Sequence, residues 1–176
     1  MNEGAASEFS RLVPLARVGA LPFRQEIAAS DDEREALAGR FDLISLDRLV
    51  AQIELQARGR DMFLLHAMFE AQFTQSCVIT LDPVAGAVAG EFELIYGPAD
   101  AEETAAGLVD EAVAFEPLHG DAIDVGEAVA QEFSLSLPEF PRTPSADLAA
   151  EMPPGEPAAH PFGALAALRG RGEVDC

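Results

Sequence analysis

Two consecutive segments of the chain alternate between apolar and polar side chains with a period of two residues. In the first segment, the apolar positions are Leu49, Ala51, Ile53, Leu55 and Ala57. In the second, they are Phe63, Leu65, Ala67, Phe69, Ala71 and Phe73. A period of two is typical of a β-strand with one buried face. Gly59-Arg60 separates the segments, so we predict a tight turn that makes them an antiparallel hairpin.

A third alternating segment follows Asp82-Pro83. Its inward positions are Val88, Gly90, Phe92, Leu94 and Tyr96. Because strands that follow one another in sequence usually pair, the three segments predict an antiparallel meander of long strands. Glu91 and Glu93 fall between the apolar positions and are expected to face outward. Shorter strands are predicted before and after the meander, at residues 9–18 and 112–115.

A short helix is predicted between the first strand and the meander. Ser30 and Glu33 have the spacing of a capping box, in which each side chain bonds to the backbone N–H of the other residue. Gly39 is expected to end this helix, because glycine readily takes the left-handed conformation found at helix C-termini.

A second helix is predicted over residues 124–137. Asp124 and Glu127 repeat the capping-box spacing, with Ile123 placed as a hydrophobic staple. Apolar residues recur at helical spacing at Val125, Ala128, Val129, Phe133 and Leu137. Pro138 then ends the helix, because proline has no N–H to continue it.

The predicted elements form one α+β domain over residues 1–140, an antiparallel β-meander of three or more long strands packed by one or two short helices. Residues 141–161 hold six prolines and predict an extended arm. A short amphipathic helix is predicted over residues 162–168, within a C-terminal arm that comprises residues 141–176.

The charge of the chain is concentrated in its second half. No Lys or Arg occurs between Asp61 and Phe140, and this stretch carries 16 of the 31 acids of a protein whose net charge is −20. Such a surface repels phosphate groups and attracts cations or basic proteins. We therefore expect a basic protein partner and disfavour direct contact with nucleic acid.

The residue types that form metal or nucleotide sites are scarce. The two cysteines, Cys77 and Cys176, are far apart in sequence, and Cys77 is expected to be a buried structural thiol. No glycine-rich phosphate loop is present. His119 lies close in sequence to Glu116 and Asp121, and a His–carboxylate pair could perform acid–base catalysis. A hydrolase is therefore a further hypothesis, but it is the least favoured one. We predict no catalytic residue, no cofactor and no metal site.

The first residues of the chain include an acid and no apolar core of signal-peptide length. No apolar run approaches the length of a membrane span. We therefore expect a soluble cytoplasmic protein that does not contact the membrane.

Three motifs in the chain carry a family resemblance. They are CVITLDPV at residues 77–84, GDAIDVGE at 120–127 and HPFGALAAL at 160–168. Their order resembles the YceD family, the large ribosomal RNA subunit accumulation proteins, over residues 40–170, in a form similar to the alphaproteobacterial variant. The family typically carries Cys-x-Arg-Cys-Leu at the first motif. Ile79 and Thr80 stand here for the Arg and the second Cys, so Cys77 alone remains of that pair.

The resemblance implies a non-enzymatic role in large-subunit ribosome biogenesis, in the accumulation or processing of the large ribosomal RNA. Combined with the acidity of the chain, it suggests a protein that binds a basic ribosomal protein or the pre-ribosomal large subunit. The acids expected to contact this partner are Glu91, Glu93, Glu102, Glu103, Asp121, Asp124 and Glu127.

An alternative hypothesis is direct RNA binding through an arginine patch near the turn at residues 59–60. The patch would consist of Arg40, Arg48, Arg58 and Arg60. Against the acidic block, phosphate binding by so few cations is expected to be weak and sensitive to salt.

Overall fold

A computed structural model of the protein describes residues 7–59, 61–101, 113–144 and 146. The chain divides into two units, and the first ends at Arg142. In the second unit the described residues form one turn, in which the Ala146 N–H donates to the Thr143 carbonyl at 3.0 Å. Apart from residues 141–144 and 146, the predicted arm and its helix over 162–168 lie outside the described residues.

The described elements of the first unit follow one another in a simple order. They are β1 (Leu12–Pro14), a 3-10 helix (Leu15–Arg17), β2 (Phe23–Ala28), α1 (Asp31–Arg40), β3 (Ser45–Ala57), β4 (Phe63–Ser76), β5 (Pro83–Gly97), β6 (Ala114–Pro117), β7 (Ala122–Asp124) and α2 (Val125–Leu135). The α+β fold class is confirmed.

Within the described residues, the main sheet has five strands in the order β2-β3-β4-β5-β6. The predicted meander is confirmed as β3, β4 and β5, which pair antiparallel with their neighbours. The strand predicted at residues 112–115 is present as β6, but it pairs parallel to β5, so the sheet is mixed. β2 was not predicted, because only Phe23 and Ile27 give its inward face an apolar pattern.

The connection between β3 and β4 is longer than the predicted two-residue turn. The last paired residues are Ala57 and Phe63. The loop between them is closed by the Arg58 N–H, which donates to the Met62 carbonyl at 2.7 Å. Gly59 has a φ of +80°, in the region that glycine occupies without strain.

The N-terminal strand is shorter than predicted and does not join the main sheet. β1 turns into the 3-10 helix at Leu15 and pairs antiparallel with β7. The Leu15 N–H donates to the Asp121 carbonyl at 2.9 Å and continues this contact. The segment before β1 also enters the core, where Phe9 is fully buried.

The core lies between one face of the main sheet and the helices α1 and α2. Its largest fully buried side chains include Phe9, Phe133, Leu37, Leu49, Leu55 and Leu65. The ring of Phe133, on α2, lies 5.8 Å from the rings of both Phe41 and Phe73, in edge-on geometry. These contacts join α2 to the end of α1 and to β4.

The capping box of α1 is confirmed, but its predicted end is wrong. The Glu33 N–H donates to Ser30 Oγ at 3.4 Å, and the Ser30 N–H donates to Glu33 Oε2 at 2.8 Å. The helix continues through Gly39 to Arg40. Asp42 takes the left-handed conformation instead, with a φ of 54°. Aspartate tolerates that region because its short polar side chain can bond locally.

Two glycines in β5 make room for aromatic rings of β4. Gly90 lies opposite Phe69, and Gly86 lies opposite Phe73. A Cβ at Gly90 would stand 2.5 Å from Phe69 Cε1, and one at Gly86 would stand 2.7 Å from Phe73 Cε2. The rings therefore cover the glycines and fill the core side of both strands.

Candidate functional site

The face of the main sheet opposite the core is polar and acidic, and we call it the open face. Three rows of directly opposed residues cross it from β2 to β5. The first row is Arg24, Glu54, His66 and Glu93; the second is Glu26, Gln52, Met68 and Glu91; the third is Ala28, Val50, Glu70 and Ala89. With neighbouring strands about 4.8 Å apart, each row spans about 15 Å.

Two adjoining grooves run over the open face. One has a volume of about 640 Å³ and reaches from Glu26 on β2 to Glu91 on β5. The other has a volume of about 420 Å³ and includes Glu54 and His66. The grooves share the middle of the second row, so they form one shallow trough across four strands.

The centre of the trough is the apolar side chain of Met68, and carboxylates lie around it. Met68 is 45% exposed in the middle of the second row, and Val50 and Ala89 lie in the row beside it. Methionine is a flexible and polarizable side chain that adapts to different partners. An apolar centre within a charged border is the arrangement found in protein–protein interfaces.

Carboxylates outnumber cations on the open face. The three rows hold five glutamates, against Arg24 in the first row and Arg48 beside the third. Arg24 Nε lies 2.8 Å from Glu54 Oε2. The Arg24 hydrogen bond, helped by one from Gln56, lowers the pKa of Glu54. Within the described ranges, Glu26, Glu70 and Glu93 form no ion pair.

His66 and Glu91 form a diagonal contact between the first two rows. His66 Nε2 lies 2.7 Å from Glu91 Oε1, and the glutamate side chain remains 65% exposed. Diagonal neighbours on antiparallel strands are within reach of long side chains. The contact holds the Glu91 carboxylate over the trough beside Met68.

The predicted contact acids do not share one surface. Glu91 and Glu93 lie on the open face, whereas Asp121 is exposed in the turn before β7. Asp124 and Glu127 are at the start of α2, which packs on the core side of the sheet. Glu102 and Glu103 lie outside the described residues.

Asp124 is used within the fold. Its Oδ1 accepts from the N–H groups of Gly126 and Glu127 at 3.1 and 3.2 Å, which caps α2 as expected. The same atom accepts from the Arg11 N–H at 2.7 Å, and Oδ2 accepts from Ser10 Oγ at 2.6 Å. Asp124 therefore fastens the segment before β1 to the start of α2.

The second capping box is incomplete, because Glu127 does not bond back to Asp124. Its carboxylate accepts instead from Arg40 at 2.7 and 2.9 Å and from Ser7 Oγ at 2.5 Å. The Arg40 hydrogen bond is the main cause that lowers the pKa of Glu127 to about 2. The Arg40 guanidinium, at the end of α1, therefore takes the place of the Asp124 N–H as the partner of Glu127.

The four arginines of the alternative RNA hypothesis are spread over the fold. Arg40 is held by Glu127 and by Glu8. Arg48, near the start of β3, and Arg58, just after its end, are separated by about 33 Å of extended strand. Arg60 lies outside the described residues. The three described arginines therefore do not form one patch.

The structure also shows the positions of the side chains that were considered for metal binding or acid–base catalysis. Cys77 is fully buried, and its Sγ accepts from the Thr80 N–H at 3.5 Å. His119 is exposed, and no described carboxylate forms an ion pair with it. The described ranges also contain no group of three or more His, Cys, Asp or Glu side chains arranged to hold a metal ion.

Several residues of the open face were missed by sequence reasoning. They are Arg24, Glu26, Gln52, Glu54, Met68 and Glu70. The signal was present for most of them, because they occupy the polar positions between the apolar ones in the predicted strands. Recognising them as one surface required the register between strands, which alternation alone does not define.

None of the helices in the described ranges is long and apolar enough to cross a membrane.

Comparison with known proteins finds a family model described as "Large ribosomal RNA subunit accumulation protein YceD", which matches residues 65–168. The match begins in β4 and includes β5, β6, β7 and α2. It confirms the resemblance of the motifs over a range narrower than the expected 40–170. The family description names a ribosomal RNA role and no chemical reaction. No curated protein and no solved structure matches the chain.

Proposed function

This chain belongs to the YceD family of large ribosomal RNA subunit accumulation proteins, and we propose that it is a non-enzymatic assembly factor that holds a basic protein on its open face. The family name connects the chain with accumulation of the large-subunit ribosomal RNA. The proposed partner is a basic ribosomal protein, free or within the pre-ribosomal large subunit.

The observation that carries this proposal is the surplus of carboxylates around the apolar centre of the trough. Glu26, Glu70 and Glu93 surround Met68 without a cation of their own among the described residues. An Arg or Lys side chain of a partner would find a carboxylate on either side of an apolar contact. Complementary charges of this kind speed association and exclude acidic partners.

The proposal also reconciles an acidic protein with an RNA-linked role. The cationic surface of a ribosomal protein binds RNA of any sequence through its phosphates. A partner held on the open face would have part of that surface covered by carboxylates instead. The factor would then keep its partner from binding RNA before the partner joins the ribosomal subunit.

Two of the predicted contact acids, Glu91 and Glu93, belong to this proposed surface. Asp124 and Glu127 already hold parts of the fold together, so we assign them a structural role. Asp121 is exposed but does not line the trough, and it remains a candidate from the sequence. Glu102 and Glu103 remain candidates by sequence alone.

The experiment that tests the proposal is affinity capture from lysate at low and high salt, with mass spectrometry of the bound proteins and sequencing of the bound RNA. We expect a basic ribosomal protein at low salt and its loss at high salt, since exposed charges are screened beyond about 3 Å at 1 M ionic strength. Nuclease treatment of the lysate should leave the capture unchanged.

A matched pair of triple variants locates the surface. Glu70→Gln, Glu91→Gln and Glu93→Gln remove three charges from the open face with little change of shape. Asp32→Asn, Glu35→Gln and Glu139→Gln remove three exposed charges elsewhere. Only the first set should abolish the capture.

Equal capture by both triple variants would refute the proposed surface, and recovery of no basic ribosomal protein at low salt would refute the proposed partner. Direct RNA binding is the other outcome of the same test. It would appear as RNA recovered without a protein partner, and it should then fall when Arg48, Arg58 and Arg60 are replaced by Ala.

A further inference from the structure

The outer edge of β2 is complementary to a second copy of itself. β2 is the first strand of the main sheet, and among the described residues it pairs only with β3. We propose that two copies of the chain associate antiparallel through β2, so that their main sheets become one continuous sheet. The proposal does not depend on the ribosomal partner.

The backbone groups available at this edge follow from one hydrogen bond. The Ala29 N–H donates to the Leu49 carbonyl at 3.0 Å, in the same register as the β2–β3 pairs. Since successive residues of a strand direct their backbone groups to opposite edges, those of Phe23, Gln25 and Ile27 also point toward β3. The N–H and C=O groups of Arg24, Glu26 and Ala28 then point outward.

A contact of Arg11 supports this assignment and closes one end of the edge. Arg11 Nη2 donates to the Ala28 carbonyl at 2.9 Å, so that carbonyl is not directed at β3. At the other end, Pro22 precedes the strand and has no N–H to donate. The open part of the edge is therefore centred on Gln25.

One register fits both the backbone and the charges. If a two-fold axis passes through Gln25, Arg24 of each copy lies opposite Glu26 of the other. These are two hydrogen-bonded pairs with opposite charges, and each exchanges two backbone bonds. On the core side, Phe23 lies opposite Ile27 of the other copy.

The ends of the strands agree with the same register. Ala28 would lie opposite Pro22 of the other copy. The Ala28 carbonyl, already bonded to Arg11, needs no further donor, and the proline has none to give. The Ala28 N–H can still donate to the proline carbonyl.

Neighbouring registers are unfavourable. A shift by two residues places Glu26 opposite Glu26 in one direction and Arg24 opposite Arg24 in the other, and like charges directly opposed are destabilising. A shift by one residue places core-side residues against the open face. Arg24 has room for its new partner, because its side chain is 73% exposed while it bonds to Glu54.

Sedimentation analysis of the full chain at concentrations from micromolar to millimolar tests the dimer. We expect the dimer fraction to rise with concentration, since six residues of paired edge give a small interface. Arg24→Glu and Glu26→Arg each place like charges opposite one another twice. Each should therefore raise the dissociation constant about tenfold or more.

The double variant R24E/E26R restores opposite charges and should return the dissociation constant to near that of the original chain. Glu54→Gln is the control, since it removes the partner of Arg24 within the chain but leaves the edge unchanged. Circular dichroism establishes that each variant is folded. A chain that is monomeric throughout the range would overturn the proposal, as would single variants that dimerise normally or a folded double variant that stays as weak as the single ones.

Discussion

Arg40 and Glu127 lie 87 residues apart in the chain and meet in a two-bond ion pair, with Nη2 2.7 Å from Oε1 and Nη1 2.9 Å from Oε2. Arg40 is the last residue of α1, and Glu127 lies in the first turn of α2. The pair therefore joins the end of one helix to the start of the other. It also explains why Arg40 is not available as an RNA contact.

Loss of this pair is expected to destabilise the fold. Arg40→Gln leaves a partly buried Glu127 carboxylate with weaker partners, and the free energy of unfolding should fall by about 2 kcal/mol. Arg48→Gln is the control, because Arg48 forms no ion pair with the described residues, and its effect should stay within about 0.5 kcal/mol. Urea denaturation of both variants measures the difference, and equal effects would contradict the structural role of Arg40.

Stability should fall in acid because two glutamates are held in their charged form. The Arg11 hydrogen bond lowers the pKa of Glu33, and the Arg40 hydrogen bond lowers that of Glu127, each from 4.5 to about 2. The unfolded chain therefore binds these protons at a higher pH than the folded one. The stabilisation is complete above pH 4.5 and is lost as the pH falls toward 2.

Urea titrations from neutral pH to pH 2.5 measure this effect, which should amount to about 2 kcal/mol for each glutamate. In Glu33→Gln and Glu127→Gln the acid-induced loss should be smaller than in the original chain by that amount. Glu35→Gln, on the exposed side of α1, serves as the control. An unchanged pH dependence in both test variants would disprove the assignment.

Gly126 allows the chain before β1 to approach α2 closely. A Cβ at this position would stand 2.4 Å from the Phe9 carbonyl oxygen and 2.9 Å from the Arg11 nitrogen. Gly126→Ala should therefore lower the free energy of unfolding by about 1–3 kcal/mol, because backbone atoms must move.

The matched control is Gly39→Ala, in the last turn of α1, where a Cβ would meet no atom within 4 Å. It should stabilise the protein slightly, by up to about 0.5 kcal/mol, since alanine is the better helix former. Thermal or urea denaturation compares the two variants. A Gly126→Ala variant as stable as the original chain would show that the Phe9–Gly126 contact is not a constraint.

The sequence predicts those parts of the fold that a pattern within one segment of the chain determines. The meander was predictable because Leu49–Leu55 and Phe63–Phe73 alternate over many residues. β2 carries only Phe23 and Ile27 on its inward side, and Gln25 interrupts the pattern. Its position is determined by pairing with β3, which no local pattern shows.

The candidate site was predictable only in part, for the same reason. The outward direction of Glu91 and Glu93 follows from alternation along one strand. Their assembly with Glu26 and Met68 depends on register across four strands. The capping bond predicted for Glu127 is absent, because the guanidinium of Arg40 is a stronger hydrogen-bond donor than the Asp124 N–H.

Met68 should contribute to partner binding without contributing much to stability. It is 45% exposed at the centre of the trough and lies outside the core cluster, so Met68→Ala should leave the core packing intact. We expect this variant to weaken capture of the basic partner about tenfold, which is 1.4 kcal/mol of binding free energy. Leu135→Ala, at a residue 78% exposed on α2, is the control and should bind normally.

Binding is measured with the purified partner once it has been identified by mass spectrometry. A normal affinity of the Met68→Ala variant would mean that the partner does not occupy the trough. Loss of affinity in the Leu135→Ala variant would instead move the interface to the helical side of the sheet.

Because Gly86 and Gly90 of β5 lie opposite Phe73 and Phe69 of β4, the two strands have different roles at these positions. The rings of β4 supply the core volume for both strands, so β5 contributes little side-chain bulk to the interior at these positions. Substitutions at Ala87, Ala89, Glu91 or Glu93 then alter the outer surface without repacking the core. A lineage of such proteins can change what it binds while its fold stays the same.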